Sequence, residues 1–254
     1  MSISKKIFIL ATAIITMSIL GGLFYWFRWH DNKIVNSNVI ILDQPIVKWQ
    51  EITITESEQN IDMHMRVPRV IIYNDYRINS EVNRVITRCV ESLKGDFISA
   101  VSTAAEDNGE INTLNVETEA LLVTPRLISL AFTATEHLAG INDNDPERTF
   151  IIFDLIKGEL MMESIELFRD EIAWSRAVKM MKNYLLANYQ GDPSCDLSFA
   201  PKYKGFAASC IGIDRSRNGE HLSITRDIPT SMIQEFITPS VIKMLETELP
   251  TFSK

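Results

Sequence analysis

Few residues in this chain have the types and spacing of a chemical site. Asp143, Asp145 and Glu147 alternate in a turn-rich run, and Ca²⁺ takes several oxygen ligands from one such loop. The run has neither the glycine nor the distal bidentate glutamate of an EF-hand, so these three residues stay candidates and we predict no metal site. The alternative is a solvated hairpin tip in which Asp and Asn serve turn geometry.

Other catalytic residue types do not converge in the sequence. None of the histidines, at positions 30, 64, 137 and 221, pairs with another at helical zinc-ligand spacing. Glu117 and Glu119 lie on one face of a predicted strand, as an acid–base pair would, and a solvated sheet face is the simpler interpretation. There is no Gly-x-Ser-x-Gly, Walker or Cys-x-x-Cys motif. We predict a protein that is not an enzyme and needs no cofactor.

Two cysteines, Cys195 and Cys210, flank a predicted hairpin whose turn lies near 202–205. An antiparallel pairing about this turn could place them opposite one another, and a disulfide is feasible outside the cytoplasm. The sequence does not fix the register, so a disulfide and two free thiols both stay open. Cys89 falls on the apolar side of a predicted helix, where we expect a core residue.

Residues 7–27 read IFILATAIITMSILGGLFYWF, an apolar run of 21 residues without a charge. As a helix it would span roughly 31 Å at about 1.5 Å per residue, close to the hydrocarbon thickness of a bilayer. The alternative is a cleaved signal peptide, but such apolar regions are shorter and end in small residues, whereas this one ends in Phe-Tyr-Trp-Phe. We predict an uncleaved transmembrane helix with the lipid bilayer as its partner.

Charges around this run predict its orientation. Lys5, Lys6 and the terminal amine precede it, whereas Arg28 and Lys33 follow, which favours the N-terminus inside. We therefore expect a single-pass protein of the cytoplasmic membrane whose C-terminal domain lies outside. The expected parts are a cytoplasmic stub 1–6, the helix 7–27, a linker 28–38 and an extracytoplasmic domain 39–254, with an optional sub-boundary near 100–113.

The charge of the outer part limits its partners. Residues 31–254 hold 22 Lys and Arg against 33 Asp and Glu, a formal charge of −11. This argues against nucleic acid, which requires a basic face. An acidic surface favours a basic partner, or simply keeps a domain soluble.

Hydrophobic periodicity predicts an α+β domain with an antiparallel sheet and two or three helices. Alternating patterns predict strands at 51–56 and 61–65, interrupted at Val67-Pro68, and a hairpin of 114–123 with 126–135. Helical spacing begins at Asn79 or Ser80 and runs to Phe97, and it recurs over 170–188. The predicted strands outnumber the helices and are joined by short turns, which is typical of α+β folds.

One stretch carries a family resemblance. Residues 149–168 combine a strand ending in Asp-Leu, a glycine turn and a short run ending in Leu-Phe before a helix. In this order of elements, roughly from Arg66 to Ile237, the chain resembles the RsiV-like extracytoplasmic domain family of anti-sigma factors. It is similar also to the non-catalytic N-terminal region of PdaC-type peptidoglycan deacetylases. The family is of the domain-of-unknown-function type.

The resemblance implies a membrane-tethered module of the cell envelope. Members of this kind bind lysozyme or work at the cell wall. Segments 138–143 and 214–217 depart from the Gly-Gly-Ala-His and Pro-Tyr-Ala patterns of the family, so no ligand residues are carried over. We hypothesise a non-enzymatic binding or sensing module for a lysozyme-like secreted protein or peptidoglycan. The alternatives are an accessory of a cell-wall hydrolase or deacetylase, and a structural membrane tether.

Overall fold

The computed structural model describes residues 45–56, 60–103, 110–139, 146–161 and 164–246. The predicted transmembrane run 7–27 and linker 28–38 lie outside these ranges. Within them, no helix has the length and apolar character needed to cross a bilayer.

The described residues form two sheets and several helices, which confirms the α+β class. The first sheet has the strand order β1-β2-β3-β4-β5-β6, with β1 (Ile46–Glu56), β2 (Ile61–Ile71), β3 (Asn112–Val123), β4 (Leu127–His137), β5 (Glu147–Asp154) and β6 (Glu159–Leu160). The second sheet is β7 (Pro193–Lys202), β8 (Gly205–Asp214) and β9 (Glu220–Pro229). The helices are α1 (Tyr76–Thr103), α2 (Glu171–Leu186), α3 (Thr230–Ile233) and α4 (Pro239–Leu245), with 3₁₀ turns at Ser164–Leu167 and Arg215–Arg217.

The first sheet is mixed, so the expected antiparallel sheet is wrong for one pair of strands. β2 and β3 run parallel, with 61–65 paired to 112–116, whereas its other neighbouring strands are antiparallel. A parallel pair needs a long crossover, and α1 supplies it. The prediction failed here because an alternating apolar pattern is the same for either strand direction.

Strand β2 also continues through Pro68, where the sequence predicts an interruption. The pairing with β3 stops at Met65, and β2 continues against β1 as far as Ile71. Backbone groups of alternate residues point to opposite sides of a strand. Because the groups of Val70 point away from β1 towards α1, the missing N–H of Pro68 falls on that same side, beyond the end of the β3 pairing. Proline therefore costs no ladder bond.

Two asparagines of α1 replace the missing neighbour of β2. Asn83 accepts from the Val70 N–H at 3.0 Å and donates to the Val70 carbonyl at 2.8 Å, as a peptide group of an adjacent strand would. Asn79 accepts from the Ile72 N–H at 3.0 Å. Asn79 is thus not the helix cap that the sequence predicts, because α1 begins at Tyr76 and Asp75 accepts from the Ile78 N–H.

Two hydrophobic cores lie on opposite faces of the first sheet. Ile128, Leu130 and Phe132 of β4 belong to a core with α1, as their alternation predicts. Leu127 and Ala131 point the other way, into a second core with the three-stranded sheet, α2 and the C-terminal helices. The period of two along β4 therefore decides which partner each side chain packs against.

The hairpin of β7 and β8 turns at Lys202 and Gly205, as predicted. Cys195 and Cys210 are joined by a disulfide, and both are buried in the second core. They are not directly opposite, because Cys195 pairs with Gly212 and Cys210 with Leu197. The disulfide therefore bridges a diagonal pair. A Cβ on Gly212 would come within 2.9 Å of the Cys195 Cβ, so only glycine fits beside the bridge.

We expect Asn83→Ala to lower the free energy of unfolding by about 2–4 kcal/mol, since it strands the buried N–H and carbonyl of Val70. Chemical denaturation followed by circular dichroism measures the change. Ser80→Ala, an exposed site on the same helix, serves as the control and should leave stability nearly unchanged. Equal stability of the two variants would contradict a role for Asn83 in completing β2.

Candidate functional site

The candidate calcium ligands are only partly described by the structure. Asp143 and Asp145 lie outside the described residues. Glu147 begins β5, and its carboxylate lies 2.9 Å from Nε2 of His221 on β9. Within the described ranges, no three His, Cys, Asp or Glu side chains are arranged to hold a metal. The absence of a metal in the 143–147 loop therefore stays a prediction.

Glu136 on β4 belongs to the same acidic region as Glu147. Burial raises the pKa of Glu136, the charges of Glu147 and Asp96 raise it further, and His221 opposes them. The end of the sheet at which β5 begins is therefore electronegative.

Glu117 and Glu119, the candidate acid–base pair, lie exposed on the sheet face away from α1. Glu119 forms an ion pair with Arg148 of β5, whose side chain is only 15% exposed. Arg148 also lies over the ring of Phe150, 5.6 Å from its centroid. The structure thus couples Glu119 to a structural arginine and leaves Glu117 solvated, as expected for a solvated sheet face.

Asp214 is a nearly inaccessible carboxylate whose pKa is strongly lowered. A hydrogen bond from the Tyr189 hydroxyl, 2.5 Å away, is the main cause that lowers its pKa to about 2. The Ser216 hydroxyl and the backbone N–H groups of Ser216 and Asp192 also donate to it. The chain itself thus satisfies this carboxylate, which fixes the loop before β7 against the turn after β8 and leaves it no ligand role.

A cleft of about 480 Å³ lies where three turns of the second core meet α4. This volume is within the range of about 300–1,000 Å³ that is typical of ligand pockets. Its apolar walls come from the second core and α4, and are formed by Leu127, Met161, Leu167, Val241 and Met244. Its polar lining is formed by Thr124, Arg126, Asp154, Glu166, Thr238, Ser240 and Lys243.

The lower wall of the cleft is a pair of hydrogen-bonded turns. The Thr124 hydroxyl accepts from the Leu127 N–H at 3.0 Å and closes the β3–β4 turn. The Leu155 N–H donates to the Arg126 carbonyl at 2.8 Å, which joins this turn to the one after β5. Gly158 in the second turn has a φ of +72°, a conformation that favours glycine.

Asp154 is the distinctive polar group of this cleft. The residue is only 3% exposed, and its Oδ1 accepts from the Ile156 and Lys157 N–H groups at 2.8 and 3.0 Å. Its second oxygen, Oδ2, accepts from no protein donor within the described ranges, and it is not one of their fully buried atoms without a partner, so it is open to water or a ligand. A nearly buried carboxylate oxygen without a donor is costly unless it meets water or a ligand, and Asp154 lines the cleft.

The other charges of the cleft are already partly balanced. Glu166 forms an ion pair with Lys157, while Arg126 is exposed at the β3–β4 turn. The Thr238 and Ser240 hydroxyls lie 3.0 Å apart at the start of α4. The cleft therefore offers a carboxylate oxygen, hydroxyls, the cationic side chains of Arg126 and Lys243, and apolar walls, which together suit an amphipathic ligand with a hydrogen-bond-donating head.

Sequence reasoning identified the strand ending in Asp154 only as a structural motif. The predicted strand and the glycine turn after it are confirmed, whereas the hydrogen bonds from the turn to the Asp154 carboxylate were not predicted. The opposite wall comes from residues 238–244, far along the chain, and no local pattern connects them to Asp154. The cleft is thus a tertiary feature that the sequence alone does not reveal.

Comparisons with known proteins find similar folds only at low sequence identity. No family model and no curated protein sequence matches the chain. A solved DUF3298 family member from Bacteroides fragilis shares 12% sequence identity with this chain. The match covers 82% of this chain and 99% of that protein, with a TM-score of 0.46. A DUF3298 family protein from Pseudomonas aeruginosa PAO1 shares 13% identity, covering 79% and 98%, with a TM-score of 0.45.

We expect Tyr189→Phe to raise the pKa of Asp214 from about 2 towards its ordinary value, because the main hydrogen bond to the carboxylate is lost. A depressed pKa in the folded state stabilises the protein above the unfolded pKa, and this stabilisation is lost as the pH falls through the folded pKa. Acid unfolding of the variant should therefore begin at a higher pH. Carboxyl-carbon NMR titration and circular dichroism measure both effects.

The control for this prediction is Tyr73→Phe, which removes a hydroxyl from an exposed tyrosine. It should leave the titration of Asp214 and the acid transition where they are. An unchanged Asp214 titration in Tyr189→Phe would show that the Tyr189 hydroxyl does not set this pKa.

Proposed function

We propose that this chain is a membrane-anchored, extracytoplasmic binding module without an enzymatic activity of its own. The anchor is the apolar run 7–27, and the ligand site is the cleft beside Asp154. The observation that carries the proposal is a largely buried carboxylate, Asp154, whose Oδ2 has no protein donor within the described ranges and faces an apolar-walled cleft of about 480 Å³. Apolar walls with a few polar groups in a cleft of this size are typical of a ligand site.

The disulfide supports the placement outside the cytoplasm. Disulfides persist in oxidising compartments and are rare in the cytosol. Cys195 and Cys210 form one inside the second core, where it ties two strands of the sheet on which α2 packs. This agrees with an N-terminus inside and a domain outside the cytoplasmic membrane.

The chemistry of the cleft favours a lysine side chain of a basic secreted protein. A lysine ammonium can donate to Asp154 Oδ2, while its four-carbon stem contacts methionine, leucine and valine walls. The −11 charge of residues 31–254 steers such a partner towards the domain. A lysozyme-like protein has this character, and an amine of a peptidoglycan peptide offers the same head group.

We expect Asp154→Asn to weaken the binding of lysozyme about 10- to 100-fold, the range of a lost charge-assisted hydrogen bond. Asparagine keeps Oδ1 as an acceptor for the turn and replaces Oδ2 by an amino group that opposes a cation. Surface-based binding assays on the full chain in nanodiscs, with lysozyme and soluble peptidoglycan fragments as analytes, measure the affinities.

Glu117→Gln is the matched control, because it removes the same charge from an exposed site outside the cleft. It should bind like the unmodified chain at moderate salt. Equal losses in both variants, disappearing with salt, would reduce the interaction to general attraction by an acidic surface. Binding of neither analyte by the unmodified chain would refute both assigned ligands.

We expect protein isolated from cells without reductant to contain the Cys195–Cys210 disulfide, seen by mass spectrometry of its peptides. Replacing both cysteines by alanine should lower the free energy of unfolding by roughly 3 kcal/mol, as for a closed loop of about 15 residues. Cys89→Ala is the control and should not change the oxidised peptide. Free thiols at both positions in the isolated protein would contradict placement outside the cytoplasm.

A further inference from the structure

The two ends of the six-stranded sheet expose different side chains. Strand directions put the start of β1, the ends of β2, β3 and β5, and the start of α1 at one end, here named the lower end. The starts of β2, β3 and β5 form the upper end. Carboxylates of the upper end include Asp62, Glu136 and Glu147, so that end is acidic.

Exposed apolar and aromatic side chains gather at the lower end. Seven large hydrophobic residues are exposed within the described ranges. Four of them, here named the lower corner, lie at the lower end: Ile46, Tyr73, Tyr76 and Ile156. The two tyrosines are 67% and 85% exposed, and apolar surface that gathers in one region marks an interaction site.

The members of the lower corner are neighbours in the fold. Ile46 pairs with Ile71 at the end of β2, and Tyr73 follows two residues later. The turn that carries Ile156 packs on the first turn of α1, since a Cβ on Gly158 would lie 3.4 Å from a side-chain carbon of Ile78. The lower corner thus extends along the lower end of the sheet, from Ile46 on β1 past Tyr73 and Tyr76 to Ile156 after β5.

Basic side chains surround this corner. Lys48 and Arg69 are directly paired across β1 and β2, and both are exposed. Like charges opposite one another destabilise a sheet, and an anionic partner that faces this pair would offset that cost. Arg77 adds a third exposed cation, while the nearby Asp75 is half-buried and bonded to the Ile78 N–H.

The chain enters the domain at this same end. Residue 45 is the first described residue and precedes β1, and 17 residues separate it from the apolar run 7–27. So short a connection keeps the lower end at a high effective concentration near the surface in which that run is anchored. Tyrosine rings prefer the headgroup level, and arginines near an anionic leaflet are attracted to it.

We propose that the lower corner lies against the headgroup layer of an anionic bilayer, with Tyr73 and Tyr76 at headgroup level and Arg69 and Arg77 facing lipid phosphates. The proposal rests on the membrane anchorage proposed above. The turns of the cleft beside Asp154 also belong to the lower end, while its apolar wall comes from the second core, on the sheet face away from α1.

The test places a fluorophore at Tyr76→Cys in the full chain, in nanodiscs of phosphatidylcholine with or without phosphatidylglycerol. The native Cys89 stays unlabelled at neutral pH, because burial raises its pKa to about 11. Ile111→Cys, at an exposed hydrophobic site of the upper end, is the matched control. We expect doxyl lipids to quench the probe at position 76 in anionic discs and not the probe at 111.

Adding Arg77→Gln to the labelled chain should weaken partitioning of the corner about fivefold, the share of one basic residue near an anionic surface. Equal quenching at positions 76 and 111 would overturn the proposal. Carbonate extraction of cell membranes decides the anchorage separately. If the membranes retain the chain but lipid does not quench the probe at position 76, the lower corner does not contact lipid and the anchor stands. If the chain is released but added anionic vesicles quench the probe, the anchor is refuted and the lower corner stands.

Discussion

The lower half of β2 has a strand on one side only, and two asparagines of α1 complete its hydrogen bonds. Asn83 presents an amide oxygen and an amide N–H to the same residue, Val70, so the helix acts as a sheet neighbour. Buried backbone groups must be paired, which fixes the rotation and depth of α1 on the sheet. The first core, the parallel crossover and the position of the lower corner all depend on that placement.

Much of this fold follows from local sequence patterns. The alternation of Ile128, Leu130 and Phe132 correctly predicted one face of β4, and the turn before Gly205 correctly predicted the β7–β8 hairpin. The failures occur where a side chain replaces backbone. Asn79 has the residue type of a cap and instead accepts from the N–H of Ile72, just after β2, a role that depends on a contact outside its own helix.

The candidate site was less predictable than the fold, for a physical reason. Catalytic motifs are short in sequence. The cleft instead joins the end of β5, at Asp154, to α4, which begins at Pro239, far along the chain. Asp154 has a local signature for the half of its carboxylate that closes a turn. The other oxygen becomes meaningful only when the remote apolar wall is in place.

Asp154 and Asp214 show why burial alone does not identify a binding carboxylate. Both are nearly inaccessible, yet Asp214 receives a tyrosine hydroxyl, a serine hydroxyl and backbone N–H donors. A fully satisfied carboxylate gains nothing from a ligand and stabilises its own loops. In Asp154, Oδ1 accepts from the backbone of its own turn, whereas Oδ2 has no protein donor among the described residues and remains available at the cleft to a donating ligand. Unused hydrogen-bonding capacity beside accessible space therefore distinguishes the carboxylate proposed to bind a ligand from the structural one.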